Sequence, residues 1–536
     1  MLKRVLIRIG ILLGAVFVLL GVWLIVERIQ SQRMLSAYLK SLRDKGEKLA
    51  IQELEPPHQP AQGCYLFASL AAISNRFSSG NQDYELPNRW GPAAPGRVYA
   101  NSRLESWITW SNKTNTWQGV GQLFSPQSNR IVAIERALEC PGLDLDINYL
   151  AHGLQTPWDD KYLRAVREVQ LLRIVALFEL QRTNLAAVHR HILGILRFGD
   201  ALESSRMIHL QQSRQGRLCV GIELIWEALL APGWREAQLA EFQYACSRPD
   251  VLESMSQSLE MERTAMFKTL QEIARSPKDL SGSLNGLCHD GNCGWQRPNE
   301  RIWAALTPIQ GWLWKHVWKD QDLCLYLKRW ERSIERSRLA AKESWQSLGS
   351  TDPEKDYFYA EYSAVEETTA WTRFRFPFSQ RFRIPNDLLI RQALVTNVRQ
   401  QLASIVLASH RYRLAHGDWP QSAQDLVPRY LAVVPHDPLT GAALVLRHNA
   451  DRGLLVYSLG FDGVDDGGDP SSISPKDHRK DFSDGKDLVW PQPATAEDIA
   501  TAFKEEQWDA QRRQRAETIL TPQVRAKYGL PPLKVD

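Results

Sequence analysis

The N-terminal apolar run constrains the fold more than any other part of the chain. Residues 9–26 form an uninterrupted apolar run of 18 residues, about 27 Å long at the helical rise per residue. That length just spans the hydrocarbon core of a bilayer. Lys3, Arg4 and Arg8 precede the run, and no small-x-small cleavage site follows it. We therefore predict an uncleaved single-pass transmembrane helix in residues 1–30, with a cleaved export signal as the alternative.

Either outcome exports the rest of the chain. Because the basic residues stay in the cytoplasm, the bulk of the chain is predicted to lie on the outer side of the membrane. The hydrophobic content of 44% and the charged content of 24% are ordinary globular values. The net charge of +4 is small, and no basic stripe with interleaved aromatic residues is present. The expected partners are the membrane and envelope proteins, and not nucleic acid.

Helical periodicity dominates residues 31–385. The clearest segment begins at Lys161 and carries apolar residues around most of its surface. Further segments span 184–198, 204–230, 234–245 and 251–273, and Pro232 with Gly233 makes a clear break. We predict a mainly α fold, in which this region is a helical bundle or a stack of helical hairpins. Residues 494–536 are predicted to form a C-terminal helical tail.

An acidic, glycine-rich stretch follows a β-favouring run near the C-terminus. The candidate metal ligands among its aspartates are Asp462, Asp465, Asp466, Asp469, Asp484 and Asp487. So many carboxylates cannot leave water unless a counter-ion or a metal replaces the lost solvation. Oxygen ligands on turn-forming glycine segments favour calcium over zinc. The alternative is an acidic surface loop that binds nothing, since Asp and Gly also dominate ordinary turns.

Several short motifs before and within this stretch occur in a characteristic order. A helix ends in Tyr412-Arg413-Leu414-Ala415-His416-Gly417-Asp418-Trp419-Pro420, and Asp425-Leu426-Val427-Pro428, Val434-Pro435-His436-Asp437-Pro438, a hairpin, Tyr457-Ser458-Leu459-Gly460, Asp462-Gly463, Gly467-Gly468, Asp487 and Trp490 follow. Over residues 400–490 this order resembles the C-terminal domain of type II secretion pseudopilins. The resemblance implies a small α+β domain in residues 386–493, in which one helix packs on a sheet of two or three strands.

The resemblance also implies a ligand set for a structural calcium ion. By motif position, the carbonyl of Leu459 and the carboxylates of Asp462 and Asp487 are the expected ligands. Between Gly468 and Asp487 the loop is longer than in the family and includes basic residues. The middle ligands are therefore left open among Asp465, Asp466, Asp469 and Asp484.

The N-terminus departs from the pseudopilin pattern. A pseudopilin carries a glutamate five residues after its cleavage-site glycine, whereas Gly10 is followed here by Ile11-Leu12-Leu13-Gly14-Ala15. A long helical region also separates the apolar run from residue 386. We therefore interpret residues 386–493 as a pseudopilin-like module attached to a different protein.

Seven cysteines are too few for a disulfide scaffold. Cys288 and Cys293 lie in a Gly- and Asn-rich segment and are predicted to form a small disulfide, with free thiols or a metal site as alternatives. The other five lie in apolar or amphipathic surroundings and are predicted to be core residues. These are Cys64, Cys140, Cys219, Cys246 and Cys324.

Residues 62–129 are less helical and rich in aromatic residues, with Trp90, Trp107, Trp110 and Trp117 among polar residues. They are predicted either to fill a loop-rich core or to contact a carbohydrate or peptide. No nucleophile elbow, zinc-protease or nucleotide-binding motif is present.

Two pairs of polar residues on helices are not expected to form a shared metal or catalytic site. His189 with His191, and Glu260 with Glu262, are two residues apart on helices and so point in different directions.

Two functions follow from these observations. The first is a membrane-anchored, exported structural or interaction protein with a calcium-binding pseudopilin-like module, linked to type II secretion or pilus-like machinery. The second is an exported hydrolase or carbohydrate-active protein, with a site between the aromatic region and the helical domain. We favour the first, because no residues in the sequence define a reaction.

Overall fold

The protein is mainly helical, as its periodicity predicts. The computed structural model describes residues 2–504 apart from 58–63, 78–90, 105, 109–113, 143–146, 148, 150–159, 249, 287–299, 349–369, 382–385, 450–452 and 473–484. Most of its buried apolar side chains belong to one continuous core, which extends from Leu35 to Trp490.

The first helix, α1 (Leu2–Asp44), has two different halves. None of its most apolar 18-residue window is buried, and Phe17 is 74% exposed. In the second half Leu35 and Leu42 are buried, because this part packs on α13 (Lys319–Lys342). Within the described part of the chain, α1 is the one helix long and apolar enough to cross a membrane.

The central region is a bundle of helices. Its helices are α2 (Ile51–Leu54), α3 (Leu66–Phe77), α4 (Trp117–Phe124), α5 (Ser128–Leu138), α6 (Asp160–Gln181), α7 (Leu185–Asp200), α8 (Ile208–Leu229), α9 (Glu236–Ser247), α10 (Val251–Ile273), α11 (Pro277–Gly286) and α12 (Glu300–Leu313). Short connections link the helices from α6 to α11 in succession. A π-helical turn, Trp314–Trp318, joins α12 to α13. Successive helices α6, α7 and α8 pack on one another, and α10 packs on α13.

Local signals explain why several predicted helix limits agree with the structure. Asn184 caps α7 by accepting from the Ala187 N–H, and Asp250 caps α10 by accepting from the Glu253 N–H at 2.9 Å. Each cap satisfies a backbone donor that has no partner inside the helix. Helix α10 therefore has the predicted bounds.

A long helix follows two short ones in the C-terminal part. These are α14 (Ala370–Arg375), α15 (Pro377–Arg381) and α16 (Asn386–His416). Short 3₁₀ turns lie at Gln346–Leu348 and Ala423–Leu426. Helix α16 packs on α8, α9, α10 and α13 and also contacts the C-terminal sheet. The predicted helix therefore contributes to the core of the bundle.

Three small sheets complete the described chain. Strands β1 (Gly91–Ala94) and β2 (Arg97–Tyr99) form one sheet with β8 (Gln492–Pro493), and β3 (Ser106–Ile108) pairs with β4 (Thr114–Thr116). Strands β5 (Val445–Asn449), β6 (Gly453–Ser458) and β7 (Leu488–Val489) form the third sheet, with β6 in the centre. The β5–β6 hairpin lies where the sequence predicts it. Residues 496–504 are helical.

Cys64 and Cys140 belong to the core, as predicted, but they also form a bond that the sequence does not predict. Cys64 and Cys140 form a disulfide, with Cα atoms 5.5 Å apart. The pairing arises because the chain before α3 meets the chain after α5, where the Leu66 N–H donates to the Gly142 carbonyl at 2.8 Å. A sequence separation of 76 residues hides that contact. Cys219, Cys246 and Cys324 are buried free thiols, as predicted, and Cys288 and Cys293 lie outside the described residues.

Candidate functional site

The acidic loop, residues 459–487, connects β6 to β7, and the structure describes its residues 459–472 and 485–487. Ser458 pairs with Leu488 in the antiparallel register, so Leu459 lies beside Asp487 at the base of the loop. Gly460 has a φ of +71°, and a Cβ there would lie 2.0 Å from the Lys486 carbonyl oxygen. Only glycine allows the two ends of the loop to approach so closely.

Asp487 is the buried carboxylate of the loop, with 1% of its surface exposed. Its Oδ2 atom accepts hydrogen bonds from the Gly468 N–H at 2.7 Å and the Asp469 N–H at 3.1 Å. Its Oδ1 atom is buried and has no hydrogen-bond partner among the residues that the structure describes. Burial raises the pKa of Asp487 to about 6. A buried carboxylate with one open oxygen is the group that a bound cation would stabilise most.

Asp465 faces the sheet, and its carboxylate is paired with a cationic side chain of the protein. Its carboxylate accepts from the Tyr457 hydroxyl at 2.9 Å and from Arg447 at 2.8 Å. The Gly467 N–H, followed by the Tyr457 hydroxyl, lowers the pKa of Asp465. These contacts hold the first turn of the loop against β5 and β6. They compete with any role of Asp465 as a metal ligand.

Asp469 pairs with a cation from the other end of the loop. Lys486 Nζ lies 2.9 Å from Asp469 Oδ2, and this hydrogen bond is the largest cause of the lowered pKa of Asp469. The charges of Asp466 and Asp462 also raise the pKa of Lys486. The Lys486 ammonium group is therefore the cation that the loop carboxylates surround in this structure.

The remaining predicted ligands are less constrained. Asp462 accepts from the Val464 N–H at 3.1 Å, and Asp466 is exposed. Asp484 lies outside the described residues. Over the residues that the structure describes, no group of three or more His, Cys, Asp or Glu side chains is arranged to hold a metal ion. The structure brings Leu459 and Asp487 together but leaves the calcium site as a prediction.

One important carboxylate of this region was not singled out as a candidate from the sequence. Asp437 is 1% exposed and lies beneath the end of β6. It accepts from the N–H groups of Leu439 at 2.9 Å and Leu459 at 3.2 Å, and from the hydroxyls of Thr440 at 3.2 Å and Ser458 at 2.8 Å. Burial raises the pKa of Asp437, and these hydrogen bonds oppose that rise. The Asp437-Pro438 step, followed by Thr440 and Gly441, was the available signal for such a turn.

The paired histidines of the bundle contact different carboxylates. His189 lies 3.3 Å from Glu241, and His191 lies 3.4 Å from Glu135. Burial lowers the pKa of His191 to about 4, so this buried imidazole is neutral at pH 7. The two rings do not form one site.

The paired glutamates on α10 also separate. Glu260 binds Arg338 at 2.6 Å, whereas Glu262 accepts from the Ile208 backbone. In the aromatic region, Trp117 is buried and donates to the Leu104 carbonyl, which is a packing role. Trp90 and Trp110 lie outside the described residues, and only the backbone of Trp107 is described, in β3.

Replacing Asp437 by asparagine tests the support beneath the loop. Asparagine keeps the shape but turns an NH₂ group toward a set of donors, so we expect a loss of about 2 kcal/mol in stability. The thermal midpoint of the full-length protein in detergent, followed by circular dichroism, measures the loss. Asp418→Asn, at an exposed position after α16, is the matched control. Equal midpoints for the two variants would contradict the assigned role of Asp437.

Comparisons with known proteins leave the chain without a family assignment. No family model matches it, and no curated protein or solved structure is significantly similar to it.

Proposed function

We propose that the protein is a membrane-anchored structural or interaction protein, whose helical domain lies on the outer side of a bacterial cytoplasmic membrane. The observation that carries this proposal is the contrast within α1. Its apolar run is exposed to the surroundings, whereas Leu35 and Leu42 of the same helix are buried in the core. Thirteen large apolar side chains between Ile9 and Val26 are exposed. Their exposure would be costly in water, and a bilayer removes that cost.

The Cys64–Cys140 disulfide supports an outer location. Structural disulfides form in oxidising compartments and are rare in the cytosol. Lys3, Arg4 and Arg8 before the apolar run favour the same topology.

Buried ion pairs connect the anchor helix to the bundle, which suits a structural role. Glu47, just after α1, accepts from Arg263 at 3.0 Å and is paired with Arg338. Arg263 is almost fully buried and also donates to Glu331 and, at 2.7 Å, to the Lys48 carbonyl. Removing one member would leave a buried charge without compensation. The domain is therefore held in a defined position on its anchor.

Topology and redox state can be tested together in cells. Full-length protein is trapped with a thiol-blocking reagent under denaturing conditions, then reduced and labelled with a maleimide polymer that retards migration. We expect Cys64 and Cys140 to become labelled only after reduction, and the Cys64→Ser, Cys140→Ser double variant to lose two labels. The matched control is Cys219→Ser, a buried free thiol, which loses none of the reduction-dependent labels. Blocking of Cys64 and Cys140 without reduction would contradict the outer location.

For the acidic loop we propose a structural calcium ion. What supports it is the open Oδ1 atom of Asp487, next to Leu459 at the base of a loop rich in carboxylates. Leu459 would contribute its carbonyl, and Asp462, Asp466 and Asp487 would contribute carboxylates, with Asp484 as a further candidate. Asp465 and Asp469 already have Arg447 and Lys486 as partners. When bound, calcium would neutralise these carboxylates and cross-link the two ends of the loop.

The stabilities of the wild type and of Asp487→Asn, compared in chelator and in calcium, test the calcium proposal. In chelator we expect Asp487→Asn to be at least as stable as the wild type, because it removes a buried charge with an unsatisfied oxygen. With calcium well above its dissociation constant, the wild type gains about 2.7 kcal/mol and the variant does not. Thermal melting of the full-length protein in detergent measures both, with Asp418→Asn as the control that keeps the calcium response. A wild-type midpoint that calcium leaves unchanged would overturn the proposal.

The partner class we propose is an envelope assembly related to type II secretion or a pilus. Its support is the order of motifs in residues 400–490. Crosslinking in intact membranes, followed by affinity purification of the full chain, tests this link. We expect components of such an assembly among the crosslinked proteins, and fewer of them with Asp437→Asn than with Asp418→Asn. Recovery of the anchored protein alone would contradict the partner proposal and leave the anchor proposal intact.

A further inference from the structure

Exposed aromatic side chains lie next to the part of the bundle that contacts α1 where its apolar run ends. We call Trp23, Ile309, Trp312 and Trp371 the collar. Trp312, Ile309 and Trp371 are 57%, 54% and 52% exposed, although they come from two different helices, α12 and α14. The tryptophans of the neighbouring π-helical turn, Trp314 and Trp318, are buried. Trp312, in contrast, is exposed.

The collar rests on a buried aromatic layer that contacts α1. Val317, Trp318 and Phe376 form a small core cluster, and Leu24 of α1 packs against it. The Trp371 ring meets the Trp318 ring edge to face at 5.5 Å between centroids. The Trp371 ring therefore contacts the same cluster as Leu24, which lies in the last turn of the apolar run. Its position is fixed by packing and does not depend on a mobile surface side chain.

Polar contacts fix the height of this surface along α1. Arg375 pairs with Glu27 and donates to Gln321 at 2.9 Å, and the Gln321 N–H donates to Ser31 Oγ at 2.7 Å. Glu27 is the first charged residue after the apolar run. Helix α14, which carries Trp371, thus docks at the level where α1 leaves the predicted hydrocarbon region.

Trp312 lies at the same level. Its ring is 5.1 Å from the His316 ring, and the charge of Arg28 acts on His316. Burial, followed by the charges of Lys315 and Arg28, lowers the pKa of His316. Arg28 is two residues beyond the apolar run, about 3 Å along the helix axis.

The chemistry of the collar matches a lipid headgroup layer. Tryptophan has an apolar body and a polar N–H, and it is enriched where membranes meet water. Lys315 and Arg28 lie beside the collar, and long basic side chains extend from such surfaces to anionic headgroups. A protein partner would also cover apolar rings. However, the collar is continuous with the apolar surface of α1 and lies at its exit level, which favours the bilayer.

We propose that the collar lies in the membrane interface and forms a second membrane contact beside the helix α1. This inference rests on the proposed anchoring of α1. One spanning helix alone leaves a domain free to rotate about the helix axis and to tilt. A second contact on α12 and α14 orients the bundle, and with it the acidic loop, relative to the membrane surface.

Depth measurements on spin labels test the collar in the full-length protein. Single cysteines replace Phe17 in the apolar run, Trp312 in the collar and Tyr244 on α9, in a background with Cys288→Ser and Cys293→Ser. Tyr244 is a matched control, because it is an aromatic residue that is 67% exposed. Its helix, α9, packs on α7, α8 and α16 of the bundle. Each protein is reconstituted in phosphatidylcholine vesicles. Power saturation then compares collisions with oxygen, which concentrates in lipid, and with a water-soluble nickel chelate.

We expect the ratio of oxygen to nickel collisions to be high at position 17, several-fold above the control at position 312, and low at position 244. A label at Ile309 repeats the collar measurement in case the Trp312→Cys protein does not fold. A high ratio at position 17 with control-level ratios at both 312 and 309 would overturn the collar and leave the anchor intact. A low ratio at position 17 would overturn the anchor, and the collar with it.

Discussion

The burial of α16 is the constraint on which most of the described structure depends. Leu394, Leu402 and Ile405 have no exposed surface, and the helix contacts four bundle helices and β6. Its polar side chains also face inward, since Gln400 donates to the Cys246 carbonyl at 2.8 Å. A helix that contacts both the bundle and the sheet cannot be removed without exposing two apolar surfaces. The C-terminal sheet and the helical bundle therefore share one core.

Ion pairs at two levels connect α1 to that core. Near the end of the apolar run, Arg375 reaches Glu27, and beyond the helix, Arg263 and Arg338 hold Glu47. Pairs of this kind add little stability when they are exposed, but breaking a buried pair is costly. Two such connections, about 20 residues apart along the chain, prevent α1 from pivoting on the bundle. A rigid connection of this kind would fix the orientation of the bundle relative to the membrane.

The acidic loop shows how far composition alone can define a site. Eight aspartates in residues 459–487 predict a need for cations, and the structure shows two cations that the protein supplies itself, Arg447 and Lys486. Asp487 differs because burial isolates one of its oxygens from every donor. Its need for a cation arises from its surroundings, which the sequence does not describe. Asp437, which supports the loop from below, is decisive for the same reason.

The sequence by itself determined the features that depend on neighbouring residues. The apolar run, the limits of α10 and the β5–β6 hairpin follow from composition, periodicity and caps within a few residues of each other. The tertiary structure alone decided which distant groups meet. It joined Cys64 to Cys140 across 76 residues, buried Asp437 and Asp487, and left Trp312 exposed beside α1 while it buried Trp314. These outcomes depend on how helices pack, and packing places in contact residues whose separation along the chain carries no local signal.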